Sequence, residues 1–281
     1  MHIDQFLQEL WNSYTRITPS AGAISDLFTH WKERVQNDHI AIRTFNDPRV
    51  NITVMARPFM DKGYKQNIQY EFEGKTVRSA CFGHPDRPDL PKVFISELKL
   101  EMFSHTLQEI IFNTLRDTPR GIFKEADLIL RGRIWGMPGY DIYETIRQES
   151  EYAAWVYVFG FCVNHFTVSV NALRNFGSLQ QVNAFLQSNG FGLNNAGGLI
   201  KGGPDQFMEQ SATLADRVNV HFREGNFMIP GCDYAFALRY PDHSGQLYQG
   251  FIAASAEKLP ADKISGNAGH RYAGEAMRER E

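Results

Sequence analysis

The 281-residue sequence predicts an α+β fold: two βαβββ modules forming a curved mixed sheet around a central cleft, with N-terminal helices and a helical insertion. Three observations carry that expectation. Asp38-His39-Ile40-Ala41-Ile42-Arg43-Thr44-Phe45 reads as a strand. The run from Cys162 to Val170 repeats its design, a His (His165) behind a short polar residue at the head of a β-branched, alternating stretch. Each copy leads into a helix ending in Gly plus an aromatic, since Gly63-Tyr64 and Gly190-Phe191 follow their histidines at 24 and 25 residues. Matched spacing of this kind argues for internal duplication.

Residues 3–15 place Phe6, Leu7, Leu10, Trp11 and Tyr14 at helical spacing, and Pro19 stops that helix. A second helix carries Ile24, Leu27, Phe28 and Trp31, and Asn37-Asp38 opens the His39 strand. The first module spans about 38–98: that strand, a helix ending near Gly63, and strands at Ile68–Phe72, Val77–Phe82 and Val93–Leu98. Residues 100–153 read as the helical insertion, with Met102, Leu107, Ile110, Ile111 and Leu115 on one face, then a helix over 123–130. The second module spans about 161–240: a strand, a helix capped by Ser178, and strands near 193–200, 217–222 and 233–240. One domain over 1–258 and a loose, Gly-, Ala-, Arg- and Glu-rich tail over 259–281 complete the expected organisation.

With 43% hydrophobic residues the chain has material for a large core, and a formal charge of -3 without basic blocks argues against nucleic acid. The longest apolar run, 153–163, is too short to span a bilayer, which argues against a membrane partner. Cys81, Cys162 and Cys232 offer neither a disulfide framework nor a zinc spacing, and Met1–Trp11 lacks a signal peptide's basic head. A cytoplasmic location is expected.

The chemistry is concentrated on the first strand. Period-two alternation puts His39, Ala41 and Arg43 on one face, with the imidazole and guanidinium about 14 Å apart along the strand. That leaves room for a small acid between a metal at His39 and a carboxylate at Arg43. The plainer alternative is an edge strand whose His and Arg are simply solvated. His221 reads as a hydrogen-bonded strand histidine, and His84, His105, His243 and His270 have no spaced partner. Gly192–Gly203 lacks the Lys-Ser/Thr of a phosphate loop and reads as a loop at the cleft rim.

The segments Asp38–Phe45, Ile95–Leu98, Asn164–Thr167 and Ile229–Cys232 resemble the 2-oxoadipate dioxygenase/decarboxylase family, a vicinal oxygen chelate-like family formerly of unknown function and labelled as hydrolases. The resemblance implies an Fe(II) enzyme of lysine catabolism that converts 2-oxoadipate and O₂ to 2-hydroxyglutarate and CO₂. It further implies that His39 and His165 hold the metal and meet the substrate, and that Arg43 grips the substrate.

One position departs from the family pattern. Where the family carries a ligating Glu on its last strand, this chain reads Pro230-Gly231-Cys232-Asp233-Tyr234-Ala235-Phe236-Ala237, with Ala235 at the carboxylate position. Asp233 is displaced by about 7 Å along a strand and reads as a surface residue. Glu97, taken as the mate of position 235 in the first module, is the other candidate third ligand; a salt-bridged carboxylate is its alternative role. Three functions remain open at this stage: an active or impaired Fe(II) enzyme, a silent relative that binds a small dicarboxylate through Arg43, and a metal-dependent lyase or hydrolase.

Overall fold

The computed structural model describes residues 1–70, 76–125 and 127–251, so the tail expected over 259–281 and the end of the strand expected to reach Phe72 lie outside the described residues. Two helices lead, α1 (Ile3–Ile17) and α2 (Pro19–His30). α1 buries Ile3, Phe6, Leu10 and Tyr14 on one stripe, and Pro19 occupies the first turn of α2, where its missing N–H costs nothing. The first module follows: β1 (Asn37–Phe45), α3 (Ile52–Met60), β2 (Lys65–Tyr70), β3 (Val77–Gly83) and β4 (Lys92–Leu98). The insertion supplies α4 (His105–Arg116), α5 (Tyr140–Glu149) and α6 (Glu151–Phe159). The second module comprises β5 (Val163–Ser169), α7 (Leu179–Ser188), β6 (Lys201–Gly203) and β7 (Met208–Ala212), then a hairpin of β8 (Arg217–Phe222) and β9 (Gly225–Pro230), and finally β10 (Ala235–Arg239).

The main sheet has the order β2-β3-β4-β1-β5-β10-β7-β6, which places the two modules back to back across the antiparallel pair β1 and β5. Each first strand runs parallel to its own module's last strand, β1 to β4 and β5 to β10. The helix endings match as well. Gly63 and Gly190 have φ of +96° and +86°, and the N–H groups of Tyr64 and Phe191 reach back to the carbonyls of Phe59 and Leu186. Only glycine adopts that left-handed turn without strain, which is why both modules carry one there. Ser178 caps α7 by accepting from the Gln181 N–H, as its sequence predicts.

Three expectations are corrected. Where a helix is expected over 123–130, the described residues form two short 3-10 turns, Ile122–Lys124 and Leu128–Leu130. Residues 193–200 are no strand: Gly197 and Gly198 turn the chain at positive φ, and the sheet is entered at β6 and β7 instead. The strand at 217–222 is real, but among the described residues it pairs only with β9, outside the main sheet. Its apolar side is satisfied by α5, where Tyr140 stacks on Phe227 at 3.7 Å and packs edge-on to Phe222. An alternating pattern demands one apolar neighbour, and a helix serves as well as a sheet.

Ile40 and Ile42 of β1 point into the main core, while His39, Ala41 and Arg43 line a cavity on the other face of the sheet. Among the described residues, no helix is long and apolar enough to cross a membrane.

Candidate active site

The cavity has a volume of about 150 Å³. At roughly 10–15 Å³ for each water-sized probe, that is room for about ten heavy atoms, the scale of a six-carbon diacid. Its floor is the β1/β5 seam: His39, Ala41 and Arg43 beside Asn164, His165 and Thr167. Ser79, Ser96 and Phe94 form the first-module wall, and Lys201, Gln210 and Asn194 contribute to the second-module wall. Phe251 closes one side, its ring 4.8 Å from His39 and 4.8 Å from Phe94.

The two histidines meet as their matching places in the modules predict. His165 lies opposite Ala41 and Thr167 opposite His39, which brings the imidazole centroids to 5.6 Å. His39 is held from behind. Its Nδ1 donates to Asp38 Oδ1 at 2.7 Å, which leaves Nε2 to accept from the Thr167 hydroxyl at 3.1 Å. Asp38 also takes both arms of the Arg239 guanidinium, at 2.6 and 2.9 Å. Burial alone would raise the Asp38 carboxyl, but the hydrogen bonds from His39 and Arg239 overcome it and hold the group ionised far below the usual range. Burial lowers both imidazoles from the ordinary histidine value; Asp38 offsets part of that at His39, whereas His39 and Arg43 add to it at His165, so both favour the neutral form.

The Asp38–His39 contact and Arg239 escaped the reading of the sequence. Neighbours on a regular strand point to opposite faces, but the β1/β5 register slips between Asn37 and His39, and such a bulge suspends alternation. Arg239 lies 201 residues from Asp38, a distance at which no local pattern speaks.

Arg43 is a buried cation with unusual company. Its guanidinium carbon lies 5.1 Å from the Tyr152 ring centroid and 5.4 Å from that of Trp155, both on α6. With the Asn164 amide oriented to suit both its neighbours, its nitrogen donates to Ala41 O at 3.3 Å and its oxygen accepts from Arg43 Nε at 3.2 Å. Among the described residues, no carboxylate forms an ion pair with Arg43. Asp233 acts on it from across the cavity without a direct ion pair, and a buried guanidinium in that state is expensive to maintain unless an anion arrives to meet it.

The third metal ligand is where the expectation fails. Arg43 pairs with Ser96 and Thr44 with Glu97, so Ser96 faces the cavity and Glu97 faces away from it. The Glu97 carboxylate is engaged by Arg78 and by the Ile52 N–H at 2.8 Å, at the N-terminus of α3. Nor is it the mate of position 235. His39 pairs with Lys92 and Ala41 with Phe94, while Thr167, two residues past His165, pairs with Ala235; the equivalent of Ala235 is therefore Phe94. Ala235 does face the cavity. Asp233, expected at the surface, lines the cavity as well, with its backbone carbonyl accepting from the Tyr14 hydroxyl. Burial raises its carboxyl to about 6, against the lowering influence of Arg43 and Lys201. Two imidazoles suit a divalent metal, but among the described residues no group of three or more His, Cys, Asp or Glu is arranged to hold one. The protein's own donor set does not fit a complete iron site.

A family model described as 2-oxoadipate dioxygenase/decarboxylase matches residues 6–240. The chain belongs to that family. A rice protein named 2-oxoadipate dioxygenase/decarboxylase, chloroplastic/amyloplastic (Oryza sativa subsp. japonica), is 33% identical over 274 residues, covering 93% of this chain and 72% of that protein. The crystal structure of a Shewanella frigidimarina NCIMB 400 protein matches with a TM-score of 0.84 and 44% identity, over 89% of this chain and 98% of that one. Hydroxyglutarate synthase from Oryza sativa, crystallised in complex with 2-oxoadipate, matches with a TM-score of 0.84 and 29% identity, over 94% and 91% of the two chains.

Proposed function

We propose that this chain binds 2-oxoadipate in the seam cavity and carries out the reaction its relatives are named for. One 2-oxoadipate and one O₂ become one 2-hydroxyglutarate and one CO₂. The observation that carries the reading is Arg43: a buried cation without an ion pair among the described residues, lining a cavity of diacid size. A carboxylate of the substrate completes it with paired, charge-assisted hydrogen bonds. Asn164 holds the guanidinium from one side and the α6 rings hold its plane, so the clamp is preorganised. The acid then lies along β1 toward His39 and His165, with Ser79 and Ser96 beside it and Phe251 limiting water at one side.

Asp38 fixes the tautomer of His39 so that Nε2, the lone-pair nitrogen, is the one opposite the β5 wall. Fe(II) would supply the oxygen chemistry, and His39 and His165 offer two of the donors it needs. Lysine catabolism and a cytoplasmic location belong to the same proposal. A second reading, a silent relative that binds the diacid without turnover, is favoured by Ala235 alone.

Anaerobically purified protein, supplied with Fe(II) and 2-oxoadipate, should consume O₂ and release CO₂ in equal amounts, with 2-hydroxyglutarate as product. Calorimetric titration should show 2-oxoadipate binding and no comparable binding of 2-oxohexanoate, which lacks the second carboxylate. Diacid binding without O₂ uptake selects the silent reading, and failure of the diacid to bind refutes both.

A further inference from the structure

We infer that this chain holds a divalent ion only in company with the diacid, and that the diacid binds without the ion. The inference rests on the diacid reading of the cavity. Strand register supplies the first half. His39 lies opposite Thr167, and Thr167 lies opposite Ala235, so one row across β1, β5 and β10 carries an imidazole, a hydroxyl and a bare methyl. His165 comes in from the neighbouring row, opposite Ala41. The donors presented around this point are two imidazoles, and among the described residues no group of three or more His, Cys, Asp or Glu is arranged there to hold an ion.

The carboxylates of Asp38 and Glu97 are engaged elsewhere, and among the described residues Asp233 completes no donor group. Asp38 lies behind His39, and both its oxygens are taken by Arg239. Glu97 is bonded to Arg78 and the Ile52 N–H on the far face of the sheet. Asp233 precedes β10 and feels Arg43 and Lys201, and it forms no three-donor group with the histidines. A divalent ion between two neutral imidazoles keeps its full charge and most of its water, so its affinity is low.

A 2-oxo acid reverses that balance. Its carboxylate and adjacent carbonyl offer two oxygen donors and a negative charge, and Arg43 anchors the other end of the molecule independently of any metal. Metal and acid therefore raise each other's affinity, and linkage requires the two effects to be equal. A chain with its own carboxylate at position 235 would show far less coupling.

The test uses full-length protein stripped with a chelator under anaerobic conditions. Mn(II) is titrated while the free-ion electron paramagnetic resonance signal is followed, with and without saturating 2-oxoadipate, and 2-oxoadipate is titrated calorimetrically with and without Mn(II). The acid should bind the stripped protein, and Mn(II) affinity should rise by at least about tenfold when the acid is present. Ala235→Glu, or Ala235→Asp as a second variant, should bind Mn(II) tightly without acid and lose most of the coupling. Tight Mn(II) binding to the wild type without acid overturns the inference. So does an acid-bound protein that takes up no Mn(II), although the diacid site then survives. If 2-oxoadipate fails to bind with or without metal, the diacid reading falls and the inference with it.

Discussion

Replacing Arg43 by Met should weaken the acid and strengthen the protein, two effects of opposite sign from one side chain. Arg43 is buried, donates to one amide oxygen and lies against two aromatic rings, with no ion pair among the described residues. A buried unpaired charge costs several kcal/mol. The two ring contacts and the hydrogen bond to the amide oxygen return only part of that. Met fills similar space without the charge, so a net gain of about 1–2 kcal/mol is expected, which is roughly 2–6 °C in Tm for a chain of this size. Loss of a buried, hydrogen-bonded charge from a carboxylate clamp costs about 2–5 kcal/mol of binding, or roughly 30- to several-thousandfold in Kd for 2-oxoadipate. Scanning calorimetry and isothermal titration measure the two. Arg49→Met is the control, since Arg49 pairs with Asp47 at 2.7 Å and does not line the cavity. A variant with lowered Tm and unchanged acid affinity would refute the assignment and make Arg43 a structural residue.

Asp233→Asn should stabilise the protein at pH 7.5 by up to about 3 kcal/mol, because burial lifts this carboxyl from 3.8 to about 6 and favours its protonated form in the fold. Below pH 3.8 the wild-type carboxyl is protonated folded and unfolded and costs nothing; the stability its protonated form holds in the fold is lost as pH rises through 6, so urea melts of the two proteins should converge in acid and stand apart by neutral pH; a difference that does not vary with pH would count against it. Glu97→Gln should cost about 1–3 kcal/mol by weakening the bonds to Arg78 and the Ile52 N–H, while leaving acid-dependent Mn(II) affinity unchanged. If that variant loses metal binding at wild-type stability, Glu97 is a ligand after all. Arg239→Met leaves the Asp38 carboxylate buried without its fork and deprives the carbonyls of Tyr248 and Gly250 of their donor, so a loss of about 3–5 kcal/mol is expected in chemical denaturation. A change below about 1 kcal/mol would show that this network contributes little.

What the sequence determined by itself was what backbone geometry enforces locally. Alternation at period two sorted β1 into a core face of Ile40 and Ile42 and a cavity face of His39, Ala41 and Arg43. The Gly63 and Gly190 helix endings and the Ser178 cap were readable because each depends on a few adjacent residues. Duplication then brought His39 and His165 together, since each sits near the head of its module's first strand. Tertiary structure decided everything that depends on register between distant strands. It set Ser96 rather than Glu97 opposite Arg43, turned Asp233 into the cavity, and sent β8 and β9 out to α5. It also joined Arg239 to Asp38 across the fold and let a bulge turn Asp38 onto His39. The physical reason is that a one-residue slip exchanges the faces of a strand without changing its local pattern, so only the packed sheet selects which side chains share a cavity.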